Sequence, residues 1–226
     1  SSWVTLVDDE AAFPSLPPGE QREALDPVRL MIDASCPAPI HLSLPLEIQV
    51  GSASWMEPTL LLAVGGMGLE EDFESGAPGW SHGGAADLWC LDDYRVREGG
   101  TSAYCGNPDT RLYQNYMNCY YVSPAFVLPY NAKLTFWRWY EVPIYGVNGL
   151  HVELDVSGRW EQLDFIGSGG ALSKLLELTS DWYEETYDLS GYPAGMVTRL
   201  RFRFVSDNKP VEEGFYLDAV RVASQG

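Results

Sequence analysis

Ile40, Leu42, Leu44, Leu46, Ile48 and Val50 occupy every second position of one stretch, with His41, Ser43, Pro45, Glu47 and Gln49 between them. Side chains alternate faces only along an extended backbone, so this pattern specifies a strand with one apolar face. Pro45 has no N–H to give a neighbour, which predicts a sheet edge or a bulge at that position. The same period returns twice. Leu150, Val152, Leu154 and Val156 alternate with His151, Glu153 and Asp155, and Leu200, Phe202 and Phe204 alternate with Arg199, Arg201 and Arg203. The stretch KLTFWRWYEV, residues 133–142, is covered on both faces and reads as a central strand.

Between these stretches lie short segments broken by Gly, Asn and Pro, and residues 90–132 carry no helical period. Residues 171–192 are ambiguous: their first part suits a short helix or a loop, while DWYEETYDL has the look of a strand with acidic gatekeepers, so a loop followed by a strand is expected. Many short strands with almost no helix predict an all-β protein built as antiparallel sandwiches or a jelly roll. The glycine cluster GGMGLEE, residues 65–71, marks a boundary. It separates residues 1–66, a small immunoglobulin-like sandwich that is complete or lacks its first strands, from residues 67–226, the jelly roll.

Composition narrows the partners. A formal charge of −18 repels nucleic-acid phosphates and a negative membrane surface, and suits divalent cations, although acidity also serves solubility alone. No apolar run reaches the roughly 20 residues a bilayer helix needs, and no segment with a basic start and a small-residue exit marks a signal peptide. Cys36, Cys90, Cys105 and Cys119 lack the spacing of a zinc or redox motif. A disulfide among the last three is expected, implying an oxidising setting; buried thiols are the alternative.

Two distant stretches carry the candidate site: DFESGAPGWSHGGAADLW, residues 72–89, and EGFYLDAVRV, residues 213–222. The first reads as a short acidic strand of Asp72, Phe73 and Glu74 followed by a Gly/Pro turn. In the second, Asp218 stands among apolar neighbours, and a carboxylate there must be paired, hydrogen-bonded or bound to a metal. If Glu74 and Asp218 meet, two like charges need a cation between them, and oxygen ligands favour calcium. The alternative is an aspartate that caps loop amides.

Catalytic signatures are sparse. The three histidines, His41, His82 and His151, stand far apart, with no HExxH helix and no GxSxG elbow. Glu153 and Asp155 share a strand face, but residues two apart on a strand are about 6.5 Å apart. A solvated face explains them better than a glycosidase pair. Trp80, Trp89, Trp137 and Trp139 are expected in the core. Tyr113, Tyr116, Tyr120 and Tyr121, from a loop-rich region, are candidates either for stacking on a ligand or for core.

DFESGAPGW, DLW, GGTSAYCG, YVSPAFVL, LTFWRWYE, DWYEETYDLSGY, RFRFVSD and GFYLDAVRV occur in an order that resembles the MAM-like jelly-roll modules at the C-terminal ends of immune inhibitor A-type secreted metallopeptidases. The cleaved-adhesin domains of gingipain-like peptidases are related. The resemblance spans about residues 70 to 223. It implies a calcium ion held by Glu74 and Asp218, with Asp72 and backbone oxygens near Thr101 and Ser102 contributing. Ala219 stands where many relatives carry a second acid, which implies weaker binding. It also implies a non-catalytic, extracellular or surface-displayed module that adheres to protein or glycan, with its parent peptidase domain outside these residues. A structural spacer and a glycan-cleaving enzyme on the same scaffold are the alternatives.

Overall fold

The computed structural model describes residues 3–15, 17–20, 22–26, 28–36, 40–50, 53–64, 67–168 and 181–225. The first glycines of the junction (Gly65, Gly66) and residues 169–180, which hold the first part of the ambiguous stretch, lie outside the described residues. The chain divides into two units, Ser1–Val64 and Gly65–Gly226.

In the first unit, β1 (Val4–Asp8) pairs antiparallel with β2 (Arg29–Ile32), and β3 (Ile40–Val50) forms a long antiparallel hairpin with β4 (Ala53–Val64). The β3–β4 register shifts between Pro45 and Glu47. The bulge falls where the proline cannot donate.

The second unit is an antiparallel sandwich. Its first sheet runs in the order β14 (Tyr183–Asp188), β11 (Ala132–Glu141), β17 (Gly214–Ser224), β8 (Ser102–Cys105), β7 (Trp89–Asp92), with β5 (Leu69–Glu71) also on β17. The second runs β13 (Arg159–Gly167), β12 (Gly149–Val156), β16 (Leu200–Val205), β9 (Asn118–Val122), β6 (Ser81–Ala85). A short pair, β10 (Phe126–Val127) with β15 (Val197–Thr198), completes it. The described residues contain no helix. Strand β11 is central, flanked by β14 and β17, as its two-sided apolar pattern demands.

The alternating residues of β12 and β16 divide as their period requires: Leu150, Val152, Leu154, Phe202 and Phe204 are fully buried against Leu134, Phe136, Leu217 and Val220 of the other sheet. Phe136 meets Phe202 edge-on with centroids 5.1 Å apart. Each such side chain contributes roughly 1.5–3 kcal/mol by leaving water. Trp80 and Trp89 stack on Tyr121 at 4.9 and 5.3 Å, which places all three in this core. Cys105 and Cys119, one from each sheet, are buried with their sulfurs 3.7 Å apart.

Arg138 is 1% exposed and sits on the core side of β11. Its Nε donates to Glu185 at 2.9 Å, and its guanidinium lies 4.8 Å from the Tyr140 ring and 5.0 Å from that of Tyr183. A buried cation is tolerated because an acid and two ring faces replace the water it gave up.

The opening stretch departs from its expected form. Strand β5 ends at Glu71, and residues 72–76 form a turn in which Phe73 adopts a φ of 64° and is buried. The Glu71 carboxylate accepts the Phe73 N–H at 2.8 Å and Asp72 accepts that of Glu74 at 3.1 Å. Local side-chain acceptance of backbone N–H groups competes with a strand ladder, which is why these acids end the strand rather than extend it.

Candidate functional site

Residues 93–101 connect β7 to β8 and lie over the outer face of the first sheet. Asp218 and Glu74 hold this loop by its amides. Asp218 Oδ2 accepts the N–H groups of Arg97 at 2.8 Å and Glu98 at 3.1 Å, while Oδ1 accepts that of Ala219 at 2.8 Å. Glu74 Oε1 accepts those of Gly100 at 2.9 Å and Thr101 at 2.8 Å. Gly99 has φ +69°, which strains any side chain there, and a Cβ would stand 2.5 Å from the Glu74 carboxyl carbon and push that carboxylate off the loop amides. Ser102 closes the loop from the other side, its hydroxyl donating to the Arg95 carbonyl at 2.6 Å.

Side chains fix the loop as well. The Arg95 guanidinium lies 3.6 Å from the Trp139 ring centroid and donates two hydrogen bonds to Glu213, at 2.6 and 2.8 Å. Arg97 lies 4.1 Å over Trp137. Trp139, expected in the main core, belongs instead to a smaller cluster with Tyr104 and Tyr216 beneath this loop, and Trp137 is half-buried under Arg97.

The sequence expectation set Glu74 and Asp218 around one ion. The structure brings both onto one loop, with their recorded bonds going to its peptide N–H groups, and places Asp72 in the turn that precedes Glu74. Thr101 meets Glu74 through its N–H, and Ser102 through its hydroxyl meets Arg95. Among the described residues no group of three or more His, Cys, Asp or Glu side chains is placed to hold a metal. The donors that converge here are oxygens, the kind calcium takes, but the carboxylates number two. Asp218 is fully buried, and that burial pushes its carboxyl above the usual value despite the three amides that favour its charged form.

A second arrangement lies on the outer face of the five-stranded sheet. The strand registers place Phe165, His151, Arg203, Tyr120 and Gly83 side by side, one from each of β13, β12, β16, β9 and β6. Four strand spacings of about 4.8 Å make this row roughly 19 Å long. His151 packs on Phe165 with centroids 4.8 Å apart and shares a 2.7 Å hydrogen bond with Gln162. Its burial lowers its affinity for a proton, so it is neutral at pH 7. Tyr120 leans over Gly83, where a Cβ would come within 3.1 Å of its hydroxyl. Trp160 is on the same face but pairs with Asp155, four residues along β12 from His151 and so roughly 13 Å from the row; Arg201 lies 4.3 Å and Arg199 5.5 Å from its ring.

The acids of this face are committed to those arginines. Glu153 accepts from Arg201 at 2.6 Å and from Arg203 at 3.2 Å, and Asp155 from Arg199 at 2.7 Å. Of the four tyrosines, Tyr120 is in the row, Tyr116 is 70% exposed on a loop, and Tyr113 and Tyr121 are buried in the core. Trp160, Arg201 and Arg203 were not among the expected ligand residues. The Ser157-Gly158 hairpin turn, both residues at positive φ, is the signal that pairs Trp160 with Asp155 and puts it on the polar side.

No protein-family model matches the chain, and no curated protein matches it. Solved structures do. The K1 cleaved adhesin domain of Lys-gingipain from Porphyromonas gingivalis W83 is 21% identical over 71% of this chain and 100% of its own, with a TM-score of 0.50. The K3 cleaved adhesin domain of the same protein gives 20%, 70%, 98% and 0.47. The xylan-binding domain CBM22-1 of Paenibacillus barcinonensis Xyn10C gives 13%, 70%, 95% and 0.43. The likeness to the K1 domain extends to the fold: the second unit of this chain is a β-sandwich of that kind.

Proposed function

We propose that this chain is a non-catalytic recognition module of a secreted or surface protein, and that its second unit binds carbohydrate along the outer face of the five-stranded sheet. The observation that carries this reading is the row from Phe165 to Gly83, with Trp160 further along the same face. Ring faces set on a rigid sheet suit the flat faces of sugar rings, and the arginine forks of Arg201 and Arg203 suit sugar hydroxyls and carboxylates. Catalysis is disfavoured here because the carboxylates of Glu153 and Asp155 are both engaged by arginines, Glu153 by Arg201 and Arg203 and Asp155 by Arg199. Affinity electrophoresis through gels of neutral and uronic-acid polysaccharides tests the reading. Retardation by at least one gel, lost in Trp160→Ala, supports it; free migration through every gel rejects it. The adhesion named in the gingipain domains comes to this chain as part of the same proposal, as does service to a catalytic domain elsewhere in its parent protein.

Calcium at the 97–101 loop is a second reading, favoured by Asp218, a fully buried carboxylate whose recorded hydrogen bonds all come from uncharged amides. Glu74 and Asp218 would hold it, with Asp72 and peptide oxygens near Thr101 and Ser102. The ion would supply the positive charge that balances the two acids. A ligand bound only by the folded state raises its stability, so the melting midpoint should fall on adding a chelator and return with excess calcium. An unmoved midpoint removes calcium from the account and leaves the amides as the sole partners.

A further inference from the structure

The loop after β11 projects apolar side chains into solvent. Ile144 is 48% exposed, Tyr145 58% and Val147 59%, on a chain whose charge of −18 makes such a cluster conspicuous. The loop is held in shape. Asp207 Oδ2 accepts the Val147 N–H at 3.2 Å, Asp207 Oδ1 accepts the Asn148 side-chain amide at 3.0 Å, and Asn148 Oδ1 accepts the Asp207 N–H at 3.1 Å. Order of this kind reduces what a partner must pay in entropy on docking.

Beside the loop is a cleft of about 280 Å³ with Val142, Pro143, Ile144, Tyr145 and Pro210 as its apolar lining. Two acids, Glu141 and Glu212, complete the lining. Among the described residues neither carboxylate is in an ion pair. Burial, and then the neighbouring charges of Glu212 and Glu213, push the Glu141 carboxyl up, against the pull of Arg95. The cleft is smaller than the roughly 300–1,000 Å³ of drug-sized sites, which fits one side chain rather than a whole ligand.

We propose that this cleft receives an arginine side chain from a protein partner. The aliphatic stem would lie on the prolines and Ile144, the planar guanidinium would face the Tyr145 ring, and its fork would meet Glu141 and Glu212. The ring's electron-rich face already attracts a cation within this chain, the Lys209 ammonium 5.8 Å away. An acidic partner would meet two carboxylates, and a purely apolar one would bury them unpaired. The site is separate from the sheet row, so the two proposals stand or fall independently.

The test is a nitrogen-15 NMR titration of the full chain with the blocked tripeptides acetyl-Ala-Arg-Ala-amide and acetyl-Ala-Gln-Ala-amide. The arginine peptide should shift the amides of Val142, Ile144, Tyr145 and Glu212, with an affinity on the order of millimolar. The glutamine peptide should leave them in place. Glu141→Gln, at an exposed position, with Glu212→Gln, at a half-buried one, should weaken binding about tenfold or more. Equal shifts from both peptides, an absence of shifts at these residues, or unchanged affinity in the double variant would overturn the proposal.

Discussion

Glu74 and Asp218, 144 positions apart in the chain, close on the same loop, residues 93–101: Asp218 takes the N–H groups of Arg97 and Glu98, and Glu74 those of Gly100 and Thr101. Two acids from opposite ends of the second unit thereby fix the connection between β7 and β8. Because the loop also seats Arg95 on Trp139 and Arg97 on Trp137, it covers the outer face of the sheet that the acids themselves flank.

Replacing Asp218 with Asn puts an NH2 group where an acceptor is required, so at least one part-buried N–H loses its partner. The expected cost is about 2 kcal/mol. Amide exchange should speed up at Arg97 and Glu98 ahead of the core strands. Uniform protection would show that the loop is held by its arginines alone.

The pH dependence of that same variant separates the two readings of the acids. Burial raises the folded-state carboxyl of Asp218 above its ordinary 3.8, so between those two values the native state binds more proton than the unfolded one. Its contribution is therefore present below the ordinary value and lost as pH rises through the raised one. Without calcium, the stability of the natural chain relative to Asp218→Asn should fall over that window. Bound calcium would favour the ionised form and reverse the slope.

Glu185→Ala removes an acid that pairs with the buried Arg138 guanidinium, a loss of about 3 kcal/mol. The double variant Arg138→Met, Glu185→Ala should recover part of that loss, since the buried cation goes together with this acid. Urea unfolding of the three proteins checks both statements. A double variant weaker than the single would mean that Arg138 is stabilised chiefly by its tyrosines.

The Cys105 and Cys119 sulfurs, 3.7 Å apart inside the core, are placed to close a bridge between the two sheets. Oxidised glutathione should convert the two thiols to a disulfide with release of two reduced glutathiones. Burial pushes the Cys105 thiol well up, so closure should be fast only when the chain is unfolded or newly made. A bridge spanning roughly fifteen residues adds about 3 kcal/mol. Peptide mapping under non-reducing conditions should find the 105–119 pair, with Cys90, whose thiol is pushed up to about 11, left reduced. A pair involving Cys90 would contradict the geometry.

Much of the sandwich was legible because β12, β16 and β11 write their faces into a two-residue period: Leu154 goes in and Asp155 goes out wherever the strand lies. Pairing order was not legible. Nothing in the residues says that β9 lies beside β16, so the row through Arg203 and Tyr120 appears only once the registers are known. The neighbours Tyr120 and Tyr121 had to face opposite ways, but which one faced the core depended on that same placement. Asp218 stood out as an acid among apolar residues. Its partners did not, because a carboxylate can be satisfied by amides or by an ion, and the sequence does not say which loop returns to meet it.

Chemical-shift mapping of the nitrogen-15-labelled chain against a retained oligosaccharide tests the recognition surface most directly. Shifts should concentrate at His151, Trp160, Phe165, Arg201, Arg203 and Tyr120, with the Trp160 indole among the largest, and should vanish in Trp160→Ala. Binding that leaves these residues unmoved, or that survives the substitution undiminished, would contradict the placement of the ligand on the five-stranded sheet.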